Sequence, residues 1–126
     1  MTLETLNLTF PEATLETWHQ HSNGGGWVQN TAFVADSAFV GPEALVSGNA
    51  MVYGNTEVLR NARISGTARV TGNARVSGNA KVSGYARVSD NAWVSDYARV
   101  SDNAWISGNA RVTGNTWVSG DAMVTY

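Results

Sequence analysis

Residues 74–100 read ARVSGNAKVSGYARVSDNAWVSDYARV. An aliphatic residue returns every six positions: Val76, Val82, Val88, Val94 and Val100. Carried both ways along the chain, the same step lands on Val or Ile 17 times, from Val28 to Val124, with no insertion or deletion. Four residues after each of the first 16 stands Ala, or Thr at Thr56 and Thr116. The second position after the aliphatic is mostly Gly or Asp, and the third is Asn nine times. A period of six fits neither a helix nor plain strand alternation. A helix would also carry regular Gly, each costing ~1 kcal/mol relative to Ala.

Short strands broken by regular corners account for every column. The β-branched residue points inward while its two neighbours point out. Gly then takes a positive φ at the corner, where Asn and Asp are also tolerated. Ala after the corner is small because it faces a tight interior vertex. Three such sides close a triangular coil of 18 residues, and 17 hexads make about 5.5–6 coils. Successive coils stack by parallel pairing ~4.8 Å apart. The expected fold is all-β: a triangular, parallel β-solenoid over 27–126 with a small cap over 1–26.

The quoted stretch resembles the hexapeptide-repeat left-handed β-helix proteins, especially the YdcK-type β-solenoid repeat. The left hand of the coil is implied by that resemblance, not by the spacing. The entry Trp18-His19-Gln20-His21, then Asn23-Gly24-Gly25-Gly26-Trp27-Val28, is similar to that of related bacterial and phage proteins. Many hexapeptide-repeat proteins are acyltransferases, and some are zinc carbonic anhydrases. Both types rely on His within or beside the coils. Here 27–126 holds no His, and no loop breaks the register. Only His19 and His21 could serve as a base or bring zinc to a symmetric interface. Three-histidine ligation cannot be matched, so neither an enzyme nor a cofactor is expected. Ice binding wants two flat Thr rows, and one outward row here is Arg and Trp instead.

Composition narrows the rest. The chain has 126 residues, enough for one ordinary domain. Cysteine is absent, which excludes disulfides, thiolate metal sites and a Cys nucleophile. Net charge is −2 and only 14% of residues are charged. No apolar run approaches the ~20 residues of a membrane helix. The opening MTLETLNLTF lacks the basic and apolar regions of a secretory signal, so a cytoplasmic protein is expected.

Residues 1–26 leave the repeat. Leu6, Leu8 and Phe10 alternate with polar residues and predict a short strand. Pro11-Glu12 suits a helix first turn, with Ala13–Gln20 helical and Leu15 and Trp18 on one face. Ser22 to Gly26 then forms a flexible joint. The cap is expected to fold over the first coil and cover its exposed Val and Ala. The outward residues of the early hexads are apolar on all three sides: Trp27, Phe33, Phe39, Leu45 and Met51. Either the cap wraps around them or another subunit covers the rest. At the other end Val124-Thr125-Tyr126 is still in phase, and an open coil invites pairing. The expected assembly is a homo-oligomer built through Trp18, Trp27, Phe33, Phe39 and Met51, or through Val124 and Tyr126.

Outward residues 18 apart should stack. Arg and Trp become neighbours on each side: Arg99 with Trp117, Arg87 with Trp105, and Trp93 between Arg75 and Arg111. These ladders shield backbone, or they form a surface for an anionic ligand or a protein partner. Nucleic acid is not expected, because net charge is negative and Asp90, Asp96 and Asp102 dilute the field. Those Asp residues occupy equivalent corners and replace Gly there, with no metal expected.

The sequence thus carries two main functional readings, and an acyltransferase-like enzyme with His19 or His21 of the cap as base is the remaining alternative. The first is a non-catalytic structural solenoid that self-associates. The second is a binding module, of bacterial or phage origin, that presents its ladders or cap to a partner.

Overall fold

The computed structural model describes residues 1–125. One helix, α1 (Leu3–Thr9), precedes β1 (Trp18–Gln20) and β2 (Trp27–Gln29). Then β3 (Phe33–Val34) and β4 (Phe39–Val40) set a six-residue interval. It continues from β5 (Leu45–Val46) to β17 (Trp117–Val118) and ends at β18 (Met123–Thr125). The strands form three sheets, parallel throughout except where β1 joins β2, and these make a β-solenoid of about six coils. One sheet runs β1-β2-β5-β8-β11-β14-β17, one β18-β15-β12-β9-β6-β3, and one β16-β13-β10-β7-β4. Each strand pairs with the strand one coil away, 18 residues on, as in Val76 with Val58 and Val94.

The aliphatic and Ala columns form one continuous core, in which Val40 to Val100 and every Ala from Ala38 to Ala110 are fully buried. Each buried Val contributes about 1.5–3 kcal/mol before chain entropy is subtracted. Thr56 takes an Ala position and is buried with its hydroxyl unpartnered.

The corners turn through positive φ, from Gly48 at 66° to Gly120 at 65°. Asp90, Asp96 and Asp102 adopt the same conformation, at 58°, 61° and 57°. Each of these carboxylates accepts a hydrogen bond at 3.0 Å from the amide of the Gly one coil on: Gly108, Gly114 and Gly120. Asp is thus tolerated at the turn, and its side chain also ties two coils together.

The cap differs from the sequence expectation in both elements. Leu6 and Leu8 lie in α1, not in a strand. The hydroxyl of Thr2 caps that helix by accepting from the Thr5 amide at 3.2 Å, and Leu8 faces solvent. Residues 13–20 are not helical: Trp18–Gln20 is a strand, and Leu15 is exposed. The reason is a non-local partner. β1 pairs antiparallel with β2, Trp18 opposite Gln29 and Gln20 opposite Trp27. The glycine segment is the hairpin link between them and is packed, not loose. A Cβ at Gly26 would run into a Val40 methyl.

The cap also reaches further than expected. Besides lying over the first coil, it packs on the outer face of the seven-stranded sheet. Leu6, Ala13, Trp18, Trp27 and Leu45 form a second apolar cluster there, with Met1, Leu3 and Phe10 against it. Phe10 and Trp18 rings meet at 4.8 Å, and Trp27 Nε1 donates to the Met1 carbonyl at 2.9 Å.

Candidate functional site

The cap closes two of the three N-terminal sheet edges. β1 covers β2. The segment before β2 covers β4: Val40 N donates to Asn23 O at 3.0 Å, and Gly26 N donates to Val40 O at 2.9 Å. The third edge, β3, has a strand on one side only, β6. Phe33 on that edge is 56% exposed, and Met51 beneath it is 40% exposed.

This arrangement sorts the expected interface residues. Trp18 and Trp27 are buried inside the cap cluster, and Phe39 is half-buried. Phe33 and Met51 remain outside together. Val124 is half-buried on β18, the far edge strand of the same six-stranded sheet. Tyr126 lies outside the described residues.

His19 and His21 are not brought to one point. His19 Nδ1 lies 2.6 Å from Asn30 Oδ1, and His21 Nε2 lies 2.8 Å from the Ala38 carbonyl. His21 is buried, so it locks the cap to a corner of the first coil. Among the described residues no group of three His, Cys, Asp or Glu is placed to hold a metal. His21→Ala would leave the Ala38 carbonyl unsatisfied. It is expected to cost about 1–2 kcal/mol in urea unfolding and to loosen the cap.

The three outward columns stack as the spacing predicts. Glu57, Arg75, Trp93 and Arg111 adjoin on the five-stranded sheet. Arg75 Nε lies 3.5 Å from the Glu57 carboxylate. Its guanidinium is 5.3 Å from the Trp93 ring centroid, and that of Arg111 is 4.7 Å from it. Because these two Arg lie on the strands either side of Trp93, the indole is occupied from both neighbouring coils. Arg87 stacks on Trp105 at 5.5 Å, and Arg99 on Trp117 at 5.0 Å. Such a pair is worth ~0.5–1 kcal/mol at the surface.

The candidate surface read from the sequence is the Arg–Trp pairs, and the same 18-residue step also puts Arg63 and Lys81 in line with Arg99. Arg63, Lys81 and Arg99 are three consecutive cations on β8, β11 and β14 of the seven-stranded sheet. Reading that column 18 residues at a time shows the run.

The YdcK beta solenoid repeat model matches residues 44–60, 62–78, 74–90, 86–102 and 104–120. The chain belongs to this repeat family. The matches begin where the corners become regular, just before Gly48, and leave the cap and its first apolar coil outside. Comparison with curated proteins and with solved structures found no match. Among the described residues no helix is long and apolar enough to cross a membrane.

Proposed function

We propose that this YdcK-repeat chain is a non-catalytic structural solenoid that associates with a second copy of itself. The observation that supports it is the edge the cap leaves uncovered. β3 offers one unpaired side, with Phe33 exposed and Met51 beside it. A paired edge is what natural sheets normally require, and an apolar one invites another chain. β18 is the opposite edge of the same sheet.

Multi-angle light scattering tests this directly. The mass is expected to rise with concentration above one chain. Phe33→Lys with Met51→Lys should return it to a monomer without lowering the melting temperature. A single-chain mass at every concentration would sink the reading. A left-handed coil and a cytoplasmic location belong to the same proposal and rest on the amino-acid sequence and its resemblance.

A second reading has an observation of its own. Trp117 is 68% exposed beside Arg99, so one ladder still presents an aromatic face to solvent. In that reading the ladders recognise an anionic ligand or a host protein. Loss of binding on Arg87→Glu would support it.

A further inference from the structure

The three columns are not alike electrostatically. On the five-stranded sheet each outward cation has a partner, either Glu57 or Trp93. On the seven-stranded sheet Arg63, Lys81 and Arg99 stand in register, and among the described residues none of them forms an ion pair. Like charges on neighbouring strands ~4.8 Å apart repel, and the long side chains can only splay to reduce it. Only Arg99 has an aromatic to lie on.

The run lines a groove of about 410 Å³. Asn61, Asn79 and Tyr97 form its other wall, one per coil along the adjacent corner. The N-terminal end is closed by Met1 of the cap together with Glu43 and Leu45 of the solenoid. The acids nearby are engaged: Glu43 holds the Met1 ammonium at 3.1 Å, and Asp96 accepts from the Gly114 amide. The whole chain is net negative, so an anion drawn here is drawn by this run and not by a general field.

We propose that this groove binds a linear polyuronate, an acidic polysaccharide with one carboxylate on each sugar, laid along the solenoid axis. The proposal rests on the second reading, that the outer surface recognises an anionic ligand, and assigns that recognition to one sheet. In an extended 1,4-linked pyranose ribbon each sugar is turned over relative to the last, so carboxylates on one face recur every second sugar, about two strand spacings or ~9.6 Å apart. Alternate carboxylates on the facing side therefore meet Arg63 and Arg99, with Lys81 between them. The Arg forks suit a carboxylate bidentately. Asn61 and Asn79 both donate and accept, which suits the sugar hydroxyls alongside. A polyphosphate offers acceptors only and leaves the Asn carbonyls unmatched. Tyr97 is exposed and supplies a ring for a pyranose face.

Calorimetry with short oligogalacturonates at low salt tests the groove. Binding is expected, weakening as salt is added. Lys81→Glu should weaken it about tenfold or more, and Arg87→Glu on another sheet should leave it unchanged. Both positions are exposed, and a melting curve confirms that each variant folds. The methyl-esterified oligomer should not bind. The proposal is overturned by no binding, by indifference to Lys81→Glu, or by polyphosphate binding equally well. Loss on Arg87→Glu but not on Lys81→Glu would overturn the groove while upholding the second reading.

Discussion

Val82→Asp is expected to prevent the solenoid from folding. Val82 is fully buried, stacked between Ile64 and Val100 in the middle of the inner column. A carboxylate there has no cation or amide donor to meet, because both neighbouring coils present only aliphatic and Ala side chains to the interior. Leaving one charge buried and unpaired costs ~3–5 kcal/mol or more. That is comparable to the ~5–15 kcal/mol of a whole domain. The position adds to the effect. Stability in a stacked repeat passes from coil to coil, so a break in the centre uncouples the two halves. Far-UV circular dichroism should show loss of strand signal in Val82→Asp. The same substitution at Lys81, exposed on the same strand, should shift stability by no more than ~0.5 kcal/mol. A folded Val82→Asp protein would mean that the interior admits water.

Gly78→Ala is expected to destabilise by about 3 kcal/mol, from two separable causes. Gly78 has φ +65°, where a side chain is strained. A Cβ there would also lie 2.8 Å from the backbone nitrogen of Asp96, one coil on. Backbone cannot step aside as a flexible side chain can. Gly114 supplies the control, having φ +66° but nothing within 4 Å of the added carbon. Gly114→Ala should cost only ~1–2 kcal/mol, the strain alone. Urea unfolding of both variants separates the close approach from the dihedral. Equal losses would show that the coil spacing at Asp96 yields more readily than the contact distance implies.

The solenoid was legible because its cause is local and repeated. Val76, Gly78, Asn79 and Ala80 each answer to a constraint that recurs in every hexad, so their columns declare themselves without an alignment. The outward ladders followed from the same arithmetic, and Arg75, Trp93 and Arg111 lie where an 18-residue step puts them. The cap was not legible in the same way. Leu6, Leu8 and Phe10 alternate, yet Leu3 and Leu6 also lie one helical turn apart, and seven residues are too few for either period to prevail. Thr2 before Glu4 was the available signal for a helix start. Trp18–Gln20 carried no such signal, because its partner Trp27–Gln29 lies beyond a glycine hairpin.

The amino-acid sequence by itself determined the architecture: a six-residue strand-and-corner unit, an aliphatic core and three outward columns. Period and residue size are short-range properties, and stacking like units buries the aliphatic column whichever hand the coil takes. Only the tertiary structure decided where the cap lies, which sheet edge it leaves bare, and which cations lack a counter-charge. Those depend on contacts between segments that share no repeat, such as His21 with Ala38 and Trp27 with Met1, and no spacing rule encodes them.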